Sequence, residues 1–410
     1  MKVRCIEPIM NRKGIVMKQE SIILRVDSEE HDLIKHKSML YGRKKSEFIR
    51  NACFVYLPES KKGEFFKKIL QEYKDGDEDR KKNLINILFE YYRRTGYPHN
   101  FLTDEQKIKR MRVLKTTTCR LTDKNEISRN YVGLDLVNSF HPHMMEVRYV
   151  GQDTPHDRFH NDEGLKDCIA RWMELGKVPS PSGMRRILRT RDGVKSAVNF
   201  KPAVAKFIYE KYAPDNGKVL DPCSGFSGRL AGCIASDKNL HYYGIDPDYR
   251  TARGNMECAS FFWGIENDLF EDREFKFGFT FDIGCAEEAM ENYRDNYFDL
   301  VFTSPPYYST EEYSVDSSQS MHRYSSYEEW RREFLFKVCL ESLRVLKKDG
   351  YFIINLKNYS NYKIADDFKI YCQRKGFVLV EELGMTLSNS EFNRDRGSYH
   401  TEPVIVMRKN

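Results

Sequence analysis

From about residue 199 onward, short apolar runs alternate with longer stretches of helical spacing. Lys218-Val-Leu-Asp221, His241-Tyr-Tyr-Gly-Ile-Asp246 and residues 277–282, 298–303, 351–356, 377–380 and 403–407 have the length and β-branched or aromatic content of buried strands. Between them, helices are predicted from near Leu230 and over 249–263, 287–295, 327–346 and 364–375, with Lys348-Asp-Gly350 breaking the fourth. Regular alternation of this kind predicts an α/β domain whose mainly parallel sheet carries helices on both faces.

The first half of the chain is patterned differently. Residues 21–26 alternate as a short strand, Ser28 caps a helix that Tyr41-Gly42 ends, and Ser46 opens another. Leu57-Pro58 reads as a boundary. Residues 61–93 then keep a helical period that puts Leu84, Leu88 and Tyr91 on one face, the pattern of a core-facing stripe, until Gly96-Tyr-Pro98 breaks it. Residues 100–198 continue as mixed helices and loops. The expected division is therefore a small unit at 20–58, a basic helical region at 59–198 that is a candidate for target recognition, and the α/β domain at 199–410.

Charge sharpens that division. Residues 1–199 hold 40 Lys and Arg against 28 Asp and Glu, a balance of +12, whereas residues 200–410 hold 27 against 33. The basic half is thus the expected contact with a polyanion. In it, Arg185, Arg186, Arg189 and Arg191 follow the turn Pro179-Ser-Pro-Ser-Gly183 and are expected beside phosphates. Ten cysteines lie scattered, without a C-x-x-C pair or Cys/His cluster, so reduced thiols in a cytosolic chain are expected and no metal is. His156 and His160 read as surface histidines. No run of about 20 apolar residues would span a membrane, and no signal peptide is expected behind Met1-Lys-Val-Arg.

Candidate chemistry sits at the ends of three predicted strands. Ser304-Pro305-Pro306-Tyr307 stops the run 298–303, and its prolines have no N–H, so a hydroxyl, rigid carbonyls and an aromatic ring are left at the strand edge. An amine on a heteroaromatic ring is a poor nucleophile; acceptors at Ser304 and Pro305 would hold its hydrogens while Tyr307 stacks on the ring. Upstream, Asp221-Pro222-Cys223-Ser-Gly225-Phe-Ser-Gly228 is a small-residue turn between strand and helix, where backbone approaches a ligand closely. It is neither G-x-G-x-x-G nor a P-loop, so a pyrophosphate is not the obvious ligand. The next strand ends in Asp246-Pro247, about 20 residues on, where such units hydrogen-bond ribose hydroxyls.

Taken in order, Asp221–Gly228, Gly244-Ile-Asp246 and Thr303-Ser-Pro-Pro-Tyr307 resemble the S-adenosylmethionine-dependent DNA amino-methyltransferases, and residues 199–212 are similar to that family's additional cofactor motif. The resemblance covers residues 199–410. It implies a Rossmann-like methyltransferase fold with an antiparallel last strand, and S-adenosyl-L-methionine as cofactor. It further implies a cofactor site formed by Phe200, Lys201, Asp221, Pro222, Cys223, Gly225, Gly228, Asp246, Pro247, Cys285 and Thr303, with Ser304, Pro305, Pro306 and Tyr307 as the catalytic motif. Methyl transfer would be direct, to a base flipped from its stack. Ser at position 304, rather than Asp or Asn, resembles the enzymes acting on N4 of cytosine. Tyr308, Tyr313 and Arg323, in the polar loop after the motif, are expected to meet the substrate. Residues 20–57 resemble a ribbon-helix-helix module, which implies a homodimer and a ribbon in the major groove with Arg25 facing DNA.

Other readings share parts of this pattern. N6 of adenine is the nearest, an RNA or protein amino-methyltransferase would use the same core, and a DNA-binding regulator would keep only a vestigial fold. Cytosine methylation at carbon 5 needs a thiolate where this chain has Ser304-Pro305.

Overall fold

The computed structural model of the chain describes residues 59–267, 275–308, 311–313, 317–358, 362–386 and 401–410. The segment compared with a ribbon-helix-helix module, Arg25 included, lies outside them.

Two helices open the described chain, α1 (Glu59–Asp75) and α2 (Glu78–Thr95), where a single period suggested one long stretch. Asp77 separates them, its carboxylate accepting the Arg80 N–H at the start of α2. Leu84, Leu88 and Tyr91 are buried as their spacing implied. There follow α3 (Asp104–Thr116), the two-residue β1 (Glu126–Ile127), α4 (Leu134–Asn138), a 3-10 turn at Pro142–Glu146, β2 (Arg148–Tyr149), α5 (Pro155–His160), α6 (Asp162–Glu174) and α7 (Pro181–Thr190).

The second half supplies α8 (Pro202–Tyr212), β3 (Lys218–Asp221), α9 (Gly228–Ala235), β4 (His241–Asp246), α10 (Tyr249–Asn267), β5 (Gly278–Ile283), the one-turn α11 (Ala286–Ala289) and β6 (Phe298–Thr303). It ends with β7 (Glu311–Glu312), α12 (Ser320–Arg323), α13 (Tyr327–Trp330), a π-helical turn at Arg331–Leu335, α14 (Phe336–Val345), β8 (Leu346–Asn355), α15 (Ile364–Lys375), β9 (Phe377–Thr386) and β10 (Thr401–Lys409). The helix expected to break at Lys348–Gly350 already ends at Val345, and those three residues instead lie within β8 as an irregularity: Leu346 pairs with Phe298, and pairing resumes only at Tyr351 opposite Leu300.

The main sheet runs β5-β4-β3-β6-β8-β10-β9-β1. Its pairs are parallel except those of β10, which lies antiparallel to both β8 and β9. This is a Rossmann-like, mainly parallel arrangement; the final strand is antiparallel as expected, and it lies inserted between β8 and β9. The chain leaves β3 in one direction through β4 and β5 and returns to its other side with β6. The β3–β6 boundary is therefore the switch point, where the carboxyl ends of open sheets bind ligands.

Each face has its own core. One packs Val204, Ile208 and Tyr209 of α8, Leu230 and Ile234 of α9, and Phe262 of α10 against Val219, Leu300, Phe302 and Ile353. The other packs Trp330, Phe334, Val338 and Phe368 against Leu220, Val301, Phe352 and Ile354. Burying a Leu, Ile or Phe contributes about 1.5–3 kcal/mol each, so both layers are needed to hold the strand ends in place. Met111, Leu114, Ile127, Leu136 and Val137 join the first core, and β1 extends the sheet beside β9. Residues 63–410 accordingly form one compact unit, in which segments before residue 199 complete the α/β core.

The arginines of α7 are not a free phosphate rail. Arg185 donates to the backbone carbonyls of Pro98 and His99, Arg189 to Ser196, and Arg191, just past the helix, makes a two-pronged pair with Asp167 at 2.7 and 2.9 Å. Burial is the reason, since α7 lies with Met184, Ile187 and Leu188 inward and draws Arg185 and Arg189 in beside Tyr97. No helix among the described residues is long and apolar enough to cross a membrane.

Candidate functional site

A cavity of about 430 Å³ opens at the carboxyl ends of β3, β4 and β6. Its wall includes Phe200, Lys201, Pro222, Cys223, Gly225, Asp246, Pro247, Cys285, the whole of Ser304-Pro305-Pro306-Tyr307, and Tyr313. Residues distant in sequence thus meet because three parallel strands end at one level.

Asp221, Thr303 and Gly228 stand behind that wall. Asp221 is fully buried; its Oδ2 accepts Arg229 Nε and the Tyr242 hydroxyl, both at 2.7 Å, and its Oδ1 accepts the Thr303 hydroxyl at 3.0 Å. Thr303 Oγ1 in turn accepts the Cys223 N–H at 3.2 Å. One carboxylate therefore ties β3, β4 and β6 together and fixes the turn that follows β3. Gly228 is where α9 approaches α8: a Cβ there would stand 2.2 Å from the Phe200 carbonyl oxygen.

The turn itself is held from below. Asn255 of α10 donates to the Gly225 carbonyl at 2.8 Å and to Ser224 Oγ at 3.1 Å, and its Oδ1 accepts the Ser227 hydroxyl at 2.6 Å. With Ser227 donating to Asn255, the 2.7 Å contact between Ser227 Oγ and His141 Nε2 requires the histidine to donate, which fixes the Nε2–H tautomer. Burial holds His141 well below the usual histidine range, so it stays neutral. Neither His141 nor Asn255 carries a motif; only the folded chain brings them to the turn. Gly225 has φ +55°, and a Cβ there would meet nothing closer than 3.9 Å, so its missing side chain leaves open space beside the cavity.

Asp246 ends β4 on the cavity wall. Its two oxygens accept the N–H groups of Gly225 at 2.9 Å and Asp248 at 3.1 Å. Burial pushes its carboxyl up to about 7, against the pull of those two N–H groups. Lys201, at the start of α8, is buried, donates to the Thr386 carbonyl, and is pulled down to about 8 by burial.

On the β6 side, Ser304 Oγ donates to Asn355 Oδ1 at 3.3 Å. Lys357, paired with Glu402, holds its ammonium 5.4 Å from the Tyr307 ring centre. Tyr313 lies with its ring 6.0 Å from that of Phe226 in the turn. Tyr308 and Arg323 are not brought to the cavity. Tyr308, at φ +30°, turns its ring among Tyr327, Trp330 and Tyr362, where it packs half-buried against the second core. Arg323 pairs with Glu288 and lies 3.4 Å from Glu287 and 2.9 Å from Cys285 Sγ.

Several further wall residues belong to no sequence motif. Glu287 is buried in the wall and takes the Tyr324 hydroxyl; Asn355 and Glu402 arrive from β8 and β10. From the basic half come Tyr131, Tyr149, Lys195 and Val198, with the Lys195 ammonium 4.4 Å from the Tyr149 ring centre. β2 pairs antiparallel with β7, tying Tyr149 to the loop after the Pro-Pro-Tyr motif.

Comparison with known proteins adds the following. Residues 298–410 match the family described as DNA methylase. No curated protein matches the chain. Among solved structures, TrmN from Thermus thermophilus is similar at 15% identity and a TM-score of 0.33, over 51% of this chain and 49% of that one. An S-adenosylmethionine-dependent methyltransferase from Methanosarcina mazei is similar at 16% identity and a TM-score of 0.30, over 49% and 96%. An S-adenosylmethionine-dependent O-methyltransferase from Thermotoga maritima is similar at 12% identity and a TM-score of 0.34, over 57% and 72%.

Proposed function

We propose that this chain is an S-adenosylmethionine-dependent DNA amino-methyltransferase and that its target atom is the exocyclic N4 of cytosine. One observation carries the reading: the Asp246 carboxylate and the Ser304–Tyr307 edge, ends of two strands flanking β3, open onto one cavity at the switch point. The DNA methylase match over residues 298–410 supports the same class.

The residues present suit that cofactor. Asp246 offers acceptor oxygens to a ribose diol, Gly225 leaves backbone space beside it, and Phe200, Pro222 and Phe226 give apolar walls. Lys201 supplies a cation for the amino-acid end. When bound, S-adenosylmethionine supplies an electrophilic methyl group. The chain's part is then orientation: Ser304 Oγ and the Pro305 carbonyl accept hydrogens from the target amine, which turns its nitrogen lone pair toward the methyl. Tyr307 stacks on the base, a contribution of ~1–3 kcal/mol that offsets part of the cost of unstacking. Holding both reactants in line is the main source of acceleration for such a transfer.

Tyr149 with Lys195 and Tyr131 with Arg129, whose guanidinium lies 5.6 Å from the ring centre, give the cavity rim paired rings and cations suited to bases and phosphates. Ser304 favours cytosine, and N6 of adenine is the second reading because the same acceptors serve either amine. The intact Asp221–Arg229–Thr303 network speaks against a vestigial fold. The test is transfer of labelled methyl from S-adenosylmethionine by the full chain to duplex DNA, RNA and protein offered separately. Label in DNA that Ser304→Ala and Tyr307→Ala both abolish supports the reading; label confined to RNA or protein refutes it.

A further inference from the structure

Asn355 closes β8 beside the end of β6 and is buried, only 2% exposed. Its amide nitrogen donates to the Pro403 carbonyl of β10 at 3.0 Å. A carbonyl only accepts, so this contact fixes which way round the amide stands. The amide oxygen consequently faces Ser304, 3.3 Å from Oγ. That oxygen has no hydrogen, and Ser304 must supply one. With its single proton committed inward, the hydroxyl presents only lone pairs to the cavity that both residues line.

We infer that Asn355 is a positioning residue that locks Ser304 as an acceptor and so makes the pocket select an exocyclic amine over the keto group of the corresponding deaminated base. The inference rests on the cavity's being the target-base pocket proposed above. An amine gives Ser304 an N–H. A keto oxygen in the same place would meet lone pairs with lone pairs, and both groups would stay unpaired away from water. Sites built to hydrogen-bond a substrate group discriminate strongly against analogues that cannot reciprocate; for one neutral bond the expected preference is on the order of 10- to 100-fold. Once the Asn355 oxygen is removed, the Ser304 hydroxyl is able to rotate and serve either partner. The preference should then collapse although Ser304 itself remains.

The test uses the full chain, S-adenosylmethionine with a labelled methyl group, and short single-stranded DNA of random sequence as acceptor. The competitor is the same DNA with uracil and hypoxanthine in place of cytosine and adenine. In the parent, the deaminated DNA should inhibit at least about tenfold more weakly than the amino DNA binds. Asn355→Leu should bring the two within about threefold while cofactor affinity stays at the parental value, and Asn355→Asp, whose buried carboxyl when protonated still donates to the Pro403 carbonyl and keeps an acceptor oxygen toward Ser304, should retain the preference. A Leu variant with the parent's preference, or an Asp variant that loses it as fully as Leu, overturns the lock. If Asn355→Leu does not fold, Asn355→Ala takes its place, and Ser304→Ala, read by direct binding of the two DNAs because it transfers no methyl, must also lose the preference; retention in either overturns the lock. A parent that transfers no methyl to the amino DNA overturns the functional reading, and the lock with it.

Discussion

Lowering the pH from 8 to 5.5 should weaken cofactor binding by about 30-fold, because a carboxyl that titrates near 7 in the empty pocket must be ionised to accept two ribose hydroxyls. The figure follows from one proton: at pH 8 Asp246 is about nine-tenths ionised, at pH 5.5 only about 3% is, and affinity tracks that fraction. Burial is the cause of the raised value, and the ligand's hydroxyls relieve it. The sign for the empty protein is opposite. A carboxyl raised from 3.8 to about 7 contributes stability that is fully present below the lower value and is lost as pH rises through the upper one. The rise bounds that contribution at about 4 kcal/mol, less where water reaches the group through the cavity mouth. Asp246→Asn removes that titration but also one acceptor for the Gly225 and Asp248 N–H groups, so its melting temperature relative to the parent should rise from pH 4 to pH 8. Calorimetric titration with S-adenosylhomocysteine across pH 5.5–8, for the full chain and Asp246→Asn, separates this group from the ligand's own amine. A parental affinity that is flat over that window, or a variant with the parent's slope, would refute the assignment.

Asp221→Ala should destabilise the fold by about 3–5 kcal/mol, read as a lowered melting temperature, because it strands the buried Arg229 and frees three strand ends. Gly228→Ala should also destabilise, by about 1–3 kcal/mol or more, since its Cβ meets the Phe200 carbonyl. Gly225→Ala, by contrast, places its Cβ in open space, so its cost should appear as φ strain on the order of 1 kcal/mol and as weaker cofactor binding by calorimetry. DNA affinity should fall steeply with salt, by about 0.9 in log affinity per log salt for each phosphate neutralised, and Lys195→Glu should reduce that slope in a fluorescence titration.

The strands and the three motifs were legible because each rests on local signals: an apolar run, a proline stop, a carboxylate at a strand end. Ser304, Tyr307, Asp246 and Gly225 all line the cavity, and β10 is antiparallel as the resemblance implied. What stayed hidden is long-range. Asn355 reaches the cavity because β8 pairs with β6, Glu402 because β10 inserts between β8 and β9, and His141 reaches the Ser227 hydroxyl across 86 residues. Tyr131 and Tyr149 sit in a region read as basic helices and loops, a reading that does not reveal that β1 and β2 pair with β9 and β7. Asp221 and Arg229 show the converse limit: a motif residue can serve the site by holding its frame, and the motif does not say which residues do so.

Mass spectrometry of nucleosides from the DNA of cells carrying the active protein, compared with cells carrying Ser304→Ala, tests the central claim most directly. N4-methylcytosine is expected in the first and none in the second. N6-methyladenine would move the target to the second amine, whereas 5-methylcytosine, or identical nucleosides in both, would contradict amino-group transfer by this site.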